Sequence, residues 1–276
     1  MQGKLFEVFH YQDYKLESVN LHYHDFFEVY FFLNGRVDFR VEGVDYSLQP
    51  GDLLLIKPQE LHRNFILPDT SYERFVIWID KSFFEMYRSE DMDLAACFHT
   101  TGSATPNLLR PRQTVRVLLE RMVSQMDYEF HSDSPGGRIV ARALLLQFMV
   151  ELNRLSQQQM PTRIGGAEQD LISRVLSYIG DHFQEDISLE SLAQEFFVSK
   201  YHLSHAFTGR MGTSVYRYIT FRRLLLARDL LAAGQAPGEI YQICGFGDYA
   251  NFYRAYRSEY GISPRQFANE IKSGKK

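Results

Sequence analysis

A segment that repeats itself at a fixed interval, residues 189–267, restricts the possible folds of this chain more than any other feature. A shift of 49 positions places Gly212 on Gly261 and Ser214 on Ser263. Each copy reads as a short helix, a tight turn and a second helix. Agreement over so many residue types indicates a duplicated structural unit.

The second helix of each copy is predicted to have an apolar face and a polar face. At about 100° per residue, Leu203 and Phe207 share one side of the first such helix, and Phe252 and Tyr256 share one side of the second. The opposite sides carry hydrogen-bonding side chains. A helix held by its apolar face can lie in the DNA major groove, where base edges present distinct donor and acceptor patterns. The repeat therefore predicts two DNA-reading helices.

A strongly helical segment, residues 214–233, joins the two copies. Its apolar residues Tyr218, Phe221, Leu225 and Leu226 recur at helical spacing. Twenty helical residues extend about 30 Å, close to the roughly 34 Å between successive major grooves on one face of a duplex. One polypeptide could therefore read two adjacent grooves.

Charge is distributed unevenly along the chain. Residues 196–276 contain 12 Lys and Arg against 5 Asp and Glu, a net charge of +7. The remaining 195 residues contain 18 against 29, a net charge of −11, so the whole chain carries −4. Such asymmetry is expected of a nucleic-acid-binding module joined to a different kind of domain, although a solvated basic face is also common without DNA binding.

The stretch GFGDYANFYRAYRSEYGISPRQF, residues 245–267, resembles the signature of AraC/XylS-type transcription regulators. The stretch from SLESLAQEFF through RRLLLARDLL resembles the first half of the same module, so the resemblance extends over residues 171–271. It implies direct base contacts at seven positions, which are Tyr201, Ser204, His205, Tyr249, Ala250, Tyr253 and Arg254.

Basic residues near these helices are expected to contact phosphate, while Arg254 is the strongest candidate for a bidentate contact with guanine. The expected phosphate contacts are Lys200, Arg222, Arg223 and Arg257. Three residues depart from the family pattern. Phe197 stands in a turn where Gly is common, Thr208 replaces a basic residue, and Ala250 could offer only an apolar contact to a thymine methyl group.

The N-terminal part, residues 4–80, is predicted to form short strands. Turn signals at Asn34-Gly35, Glu42-Gly43 and Pro50-Gly51 separate five β-branched or aromatic runs, which are EVYFFLN, RVDFRVEG, VDYSLQ, DLLLIK and ERFVIWID. Regular short strands with tight hairpins predict a small barrel or a double-sheet jelly roll.

Within these strands, HYHDFFEVYFFLNG and PGDLLLIKPQELHRN resemble the two-part cupin motif, with His22, His24 and Glu28 in the first part and His62 in the second. Such residues could bind a divalent metal. They could equally hydrogen-bond to one another and to loop backbone, as the resemblance to regulators favours, so no metal cofactor is assigned.

Aromatic and polar residues of the predicted barrel favour a small-molecule pocket, because apolar walls around a few oriented polar groups are typical of such sites. A barrel filled by its own side chains, with no cavity, is the alternative. The effector-pocket candidates are His22, His24, Glu28, Tyr30, Arg36, His62 and Trp78.

From residue 112 onward the pattern becomes helical. Val115, Leu118, Leu119, Met122 and Met126 are predicted to lie on one stripe, and residues 139–155 form a second helix that is apolar over much of its circumference. The two helices either form a dimer contact or only pack on their own barrel. A polar stretch with Pro and Gly follows and is predicted to be a linker.

The expected architecture is α+β and multidomain. It comprises a cupin-like effector-sensing barrel at 1–110, a helical dimerisation hairpin at 111–156, a linker at 157–169 and a double helix-turn-helix domain at 170–276. The chain has no apolar run of 18 residues and no apolar core typical of a signal peptide, so a cytoplasmic location without membrane contact is expected. Cys97 and Cys244 are expected to be reduced packing residues.

These observations favour a ligand-responsive, sequence-specific DNA-binding transcription regulator that is not an enzyme. Its expected partners are double-stranded promoter DNA, a sugar or another small metabolite, a second copy of the chain and, if it activates transcription, RNA polymerase. The alternative from another class is a metal-dependent cupin enzyme with a helical regulatory appendage. A third possibility is a DNA-binding protein without an effector.

Overall fold

The computed structural model describes residues 5–14, 18–66, 71–99, 107–159 and 171–273. The chain divides into two units, Met1–Gly165 and Gly166–Lys276. Strands and helices make up the described part of the first unit, and the second is helical. The predicted α+β class is therefore confirmed.

Two antiparallel sheets form the frame of the first unit. One contains five strands in the order β1-β7-β2-β5-β8, and the other contains three in the order β4-β3-β6. The eight strands are β1 (Phe6–Asp13), β2 (Phe27–Asn34), β3 (Val37–Val41), β4 (Val44–Ser47), β5 (Leu53–Ile56), β6 (His62–Ile66), β7 (Tyr72–Ile79) and β8 (Leu108–Leu109).

Strand β2 is buried on both faces, which explains why it reads as a continuous apolar run. Val29 and Phe31 belong to the core between the five-stranded sheet and the helices. Tyr30 and Phe32 belong to a second core that also contains residues of the three-stranded sheet. Because side chains alternate along a strand, Glu28 lies on the same face as Tyr30 and Phe32, inside the barrel.

Two long helices pack against the five-stranded sheet of the first unit and share a hydrophobic core with it. They are α2 (Gln113–His131) and α3 (Gly137–Gln159), preceded by the short α1 (Lys81–Met86) and a 3-10 turn at Ala96–Phe98. Leu119, Met122 and Met126 are buried, as the predicted stripe requires, but Leu118 is 41% exposed. Leu118 therefore lies at the exposed edge of the apolar stripe.

The predicted linker begins too early in the chain. Residues 157–159 are the last residues of α3. The amide of Gln159 both accepts from the Arg110 backbone N–H, at 3.1 Å, and donates to the Arg110 carbonyl, at 2.6 Å. These two bonds hold the end of the helix against the strand region, and residues 160–169 of the predicted linker lie outside the described residues.

The second unit contains the predicted duplication. Its helices are α4 (Leu171–His182), α5 (Leu189–Glu195), α6 (Lys200–Met211), α7 (Val215–Ala232), α8 (Pro237–Ile243), α9 (Tyr249–Tyr260) and α10 (Pro264–Lys272). Both α6 and α9 have 12 residues and start 49 positions apart. Each ends at a glycine in the left-handed conformation, Gly212 with φ 70° and Gly261 with φ 73°.

Helix caps come from the residue types that the sequence places at these ends. Ser188 caps α5, and the Ser191 side chain completes a capping box in the position where Glu is usual. Ser199 caps α6, and the carboxylate of Asp248 caps α9. Each cap satisfies backbone N–H groups that have no partner within the helix.

Helix α7 is the scaffold that both copies share. Leu203, Phe207, Phe252 and Tyr256 are each 0% exposed. The Phe207 ring meets Tyr218 of α7 at a centroid distance of 5.7 Å. Phe252 and Tyr256 pack in one cluster with three residues of α7, Leu224, Ala227 and Leu231.

No described helix is long and apolar enough to cross a membrane.

The turns before α6 and α9 share a left-handed residue but differ in its identity. Phe197 adopts φ 55° in the first turn and is 94% exposed, while Gly245 adopts φ 87° in the second. A Cβ on Gly245 would come within 2.6 Å of the Gln184 carbonyl oxygen. Because Phe197 has a side chain, its left-handed conformation costs about 1–2 kcal/mol.

Phe197→Gly should raise the free energy of unfolding by about 0.5–1 kcal/mol, because relief of the left-handed strain exceeds the cost of a more flexible unfolded chain. Urea unfolding of both proteins measures the difference. The matched change in the second turn, Gly245→Ala, should lower the free energy of unfolding by at least about 1–2 kcal/mol. A less stable Phe197→Gly variant would show that the exposed ring stabilises the fold.

Candidate functional site

Three histidines at one end of the barrel are oriented by the same kind of hydrogen bond. Each Nδ1 atom lies within hydrogen-bond distance of a backbone carbonyl, which can only accept, so each Nδ1 carries the proton in the neutral ring. Each Nε2 atom is then left with a free lone pair. The bonds run from His22 to Asn20 at 2.8 Å, from His24 to Phe26 at 2.9 Å and from His62 to Glu60 at 2.8 Å.

These rings converge on the carboxylate of Glu28. His24 Nε2 lies 3.2 Å from Glu28 Oε2, and Trp78 Nε1 donates to the same oxygen at 2.9 Å. The ligand atoms of His24, Glu28 and His62 lie within 4.8 Å of one another. The His22 ring is 4.2 Å from that of His62, but His22 is exposed and lies outside this group of three.

The protonation states follow from burial and hydrogen bonding. Burial lowers the pKa of His62 to about 4, so this imidazole is neutral at pH 7. Burial alone raises the pKa of Glu28, but the His24 contact and the Trp78 hydrogen bond lower it below its ordinary value overall. At neutral pH the site therefore presents the carboxylate of Glu28 and the unprotonated Nε2 of His62.

His24 Nε2 and Glu28 Oε2 lie 3.2 Å apart but without the geometry of a hydrogen bond. Among the described side chains, the Nε2 atoms of His24 and His62 are buried and have no hydrogen-bond partner. Two imidazole nitrogens and a carboxylate form a donor set that suits Mn, Fe, Ni or Zn. The carbonyl bonds at Nδ1 are the usual second contacts of metal-bound histidines. His24, Glu28 and His62 thus fit a divalent ion. Such an ion would add positive charge and could coordinate the oxygen atoms of a ligand.

Aromatic rings surround this cluster. The Trp78 ring lies 4.8 Å from Phe9 and 4.9 Å from Phe26, measured between centroids. Tyr30 packs against Phe39 at 5.0 Å, and its buried hydroxyl has no partner among the described residues. The structure therefore combines apolar walls with buried polar atoms that have no partner inside the described part of the protein.

Arg36 is not brought to this cluster, since it is exposed in the turn between β2 and β3, at the opposite end of β2 from Glu28. Instead the cation on the interior face of β7 is Arg74, which pairs with Asp13 and lies over the rings of Tyr11 and Tyr72 at 4.7 and 4.3 Å. Arg74 shares strand parity with Trp78, a signal that could have identified it from the sequence.

The polar faces of α6 and α9 point outward. Tyr201 is 81% exposed, His205 is exposed and Ser204 is half-buried. On α9, Tyr249, Ala250 and Arg254 are exposed and Tyr253 is half-buried. All seven predicted base-contacting side chains therefore lie at least partly on the surface.

Arg254 belongs to a hydrogen-bond chain that includes Asn251, a residue that sequence reasoning missed. Arg254 Nη2 donates to Asn251 Oδ1, and Asn251 Nδ2 donates to Asp248 Oδ2. The other oxygen of Asp248 accepts from the Asn251 backbone N–H at 2.7 Å. The spacing of three residues, which places side chains on one helix face, could have indicated this chain.

The predicted phosphate contacts differ in their surroundings. Lys200 is exposed in an ion pair with Glu190 at 2.6 Å, and Arg257 is exposed. Arg222 is half-buried, with its guanidinium 5.8 Å from the ring of Phe183.

Arg223 has a structural role that the sequence did not reveal. It donates to the carbonyls of Phe183 and Glu185, each at 2.7 Å, and burial lowers its pKa. Its guanidinium thus fixes the segment that follows α4, so it is not available for phosphate in this arrangement.

Comparison with known proteins connects both sites to one family. The sequence-family model of the AraC-like ligand binding domain matches residues 7–149. The family model of a helix-turn-helix domain matches residues 192–270. The chain belongs to the AraC family of transcription regulators. Because this family consists of regulators and not of enzymes, the alternative of a metal-dependent cupin enzyme is not supported.

The similarity to individual proteins is lower. The HTH-type transcriptional activator RhaS of Salmonella paratyphi A is 26% identical over 248 residues, 88% of this chain and 85% of the relative. The structure of ToxT from Vibrio cholerae is 14% identical with a TM-score of 0.40, covering 96% of this chain and 98% of its own. A protein from Listeria innocua is 29% identical over 37% of this chain and 97% of its own, with a TM-score of 0.36.

Stoichiometric binding of Mn²⁺, Ni²⁺ or Zn²⁺ is the expected result if His24, Glu28 and His62 act as ligands. At a free ion concentration a hundred times the Kd, the ion should stabilise the fold by about 2.7 kcal/mol, which raises the Tm. His62→Ala should abolish this shift. His10→Ala, which removes an imidazole from an exposed pair with Glu73, should retain it. Equal shifts in the wild type and His62→Ala would contradict the assignment.

Proposed function

We propose that this AraC-family regulator activates transcription when its first unit binds a neutral polyhydroxyl metabolite, such as a sugar. The observation that carries the proposal is a pair of buried acceptors, the Nε2 atoms of His24 and His62, which have no donor among the described residues and lie beside the carboxylate of Glu28. An unsatisfied buried polar group costs about 1–3 kcal/mol. A ligand that brings hydroxyl donors would remove that cost.

The chemistry of the cluster selects among ligand classes. Hydroxyl groups can donate to the imidazole nitrogens and to the carboxylate, while aromatic rings such as Trp78 and Phe26 can cover the apolar faces of a sugar ring. The charge of Glu28 would repel a carboxylate ligand unless a divalent ion lay between them. A filled barrel without an effector would leave these buried acceptors unpaired, which argues against the third alternative.

For the second unit we propose that α6 and α9 enter two successive major grooves. Tyr201, Ser204 and His205 would contact bases from α6, as would Tyr249, Ala250, Tyr253 and Arg254 from α9. Lys200 and Arg257 are exposed cations beside these faces and are proposed to contact phosphate. Arg222 would need to leave the ring of Phe183 to do so. Arg223 is withdrawn from this set because its guanidinium binds backbone carbonyls.

A second copy of the chain is the proposed partner of α3. Ile139, Ala143, Leu146 and Val150 follow one another at intervals of four, three and four residues, the spacing of a coiled-coil seam. Ile139 is 74% exposed and Ala143 is exposed. Burial of this stripe against its copy would remove apolar surface from water.

Activation of transcription implies contact with RNA polymerase. The names of the RhaS relatives, which are transcriptional activators, support this direction. A reporter gene behind DNA that the chain selects should be expressed less when the chain is absent. Higher expression in its absence would indicate repression instead.

The effector class can be tested by thermal unfolding against neutral sugars and polyols on one side and small carboxylic acids on the other, with and without a divalent ion. At least one polyhydroxyl compound should raise the Tm. Glu28→Gln should reduce that stabilisation by about 1.5–3 kcal/mol, since it removes a charged acceptor. Glu85→Gln, an exposed change on α1, is the control. A shift produced only by carboxylic acids would overturn the proposed class.

The division between base and phosphate contacts can be tested by selecting sequences from randomised duplex DNA with the full chain. Arg254→Ala should lose one preferred guanine, at a cost of about 1–3 kcal/mol for that base pair. Lys200→Ala should weaken binding to all sequences alike and lower the slope of log K against log salt by about one. If both variants altered sequence preference equally, the division would be wrong.

Sedimentation equilibrium tests the proposed dimer face. Ile139→Glu should dissociate the dimer, because it places a charge in the proposed seam. Tyr128→Glu changes a residue of α2 that is 67% exposed and lies outside the stripe, so it should leave the mass unaltered. A wild-type chain that is monomeric at all accessible concentrations would contradict the proposal.

A further inference from the structure

We propose that Asn251 orients the guanidinium of Arg254 and thereby sets how strictly α9 selects its base, an inference that rests on the proposed contact between Arg254 and DNA. Asn251 is exposed on the same helix face as Arg254. Its side chain accepts from Arg254 Nη2 and donates to Asp248 Oδ2. It therefore acts as a positioning residue between the helix cap and the base-reading side chain.

Asp248 anchors this chain of hydrogen bonds, and a contact with the backbone fixes its carboxylate. Asp248 is the N-cap of α9, and its Oδ1 atom accepts from the Asn251 backbone N–H at 2.7 Å. Its second oxygen is then directed at the Asn251 amide. Asp248 thus accepts from both the backbone N–H and the side-chain Nδ2 of Asn251. The Asn251 Oδ1 atom therefore has a defined direction in which to accept from Arg254.

The Arg254 contact leaves enough donors for base recognition. A guanidinium has five N–H groups, and the bond to Asn251 uses one of them. Nη2 keeps one N–H and Nη1 keeps two, which suffice for a bidentate contact with guanine O6 and N7. Holding a long side chain in its bound direction removes part of the entropy cost of immobilising it, about 0.5–1.5 kcal/mol for a flexible side chain.

The first copy lacks this arrangement. Ser199, His202 and His205 occupy the equivalent positions of α6. Ser199 caps the helix by accepting from the His202 backbone N–H at 3.1 Å. In the part of the chain that the structure describes, no hydrogen bond joins the two imidazoles. Any effect of Asn251 should therefore be confined to the base pairs that α9 reads.

The test is selection from randomised duplex DNA with the full chain and its variants, with thermal unfolding as a check that each variant folds. Asn251→Ala should weaken, by about 3- to 10-fold, the preference at the base pair that Arg254→Ala abolishes. Preferences read by α6 and the salt dependence should not change, because no phosphate contact is lost.

Two further variants separate positioning from a direct base contact. Asn251→Asp keeps an acceptor for Arg254 but loses the donor to Asp248 Oδ2, so it should retain part of the preference, while its added negative charge lowers affinity for all sequences. Asp248→Ser keeps a helix cap of the type that Ser199 provides on α6 but removes the oxygen that holds the Asn251 amide. It should give an intermediate loss at the same base pair.

The failure of this inference is distinguishable from that of the proposed function. If the wild-type chain selects no sequence at all, the proposed function fails. If it does select, and Asn251→Ala leaves the Arg254-dependent preference intact or abolishes the preference at a different base pair, only the positioning role of Asn251 is overturned.

Discussion

Burial of two apolar pairs against a common helix determines the geometry of the DNA-binding unit. Leu203 and Phe207 on α6, and Phe252 and Tyr256 on α9, are each fully buried. Phe207 contacts Tyr218 of α7, and Phe252 and Tyr256 share a core cluster with α7. Burying each side chain contributes about 1.5–3 kcal/mol, so neither helix can rotate about its axis without a large loss. Fixing the buried faces also fixes which side chains reach the surface. The outward direction of Tyr201, His205 and Arg254 thus follows from the same packing that stabilises the unit.

A similar division between two faces produces the proposed effector site of the first unit. Alternation along β2 places Val29 and Phe31 in the core beneath the helices, and it places Glu28 and Tyr30 inside the barrel. The barrel then closes around polar atoms that its own described side chains do not satisfy, among them the Nε2 atom of His62. In a packed core such atoms are costly. In a sensor they are the groups that a ligand can satisfy, so the instability of the empty site favours binding.

The sequence predicted features that depend on periodicity and failed where tertiary contacts decide. The helices α6 and α9 could be placed because the 49-residue repeat and the apolar spacing agree with each other. Helix α3 extends beyond its predicted end because Gln159 binds the backbone of Arg110, a contact between segments far apart in the chain. Arg36 was a wrong prediction, because it lies exposed in the turn after β2, and the strand parity that Arg74 shares with Trp78 identifies the arginine inside the barrel. The structural role of Arg223 could not be foreseen either, since its partners are carbonyls of a distant loop.

The central claim is that the two recognition helices of one chain enter successive major grooves on one face of the duplex. Hydroxyl-radical footprinting on a duplex selected by the full chain tests it most directly. Two protected tracts on one face are expected, centred about 10–10.5 base pairs apart for each chain, together with a loss of binding when five base pairs are inserted between them. One tract per chain, or binding that tolerates the insertion, would contradict it.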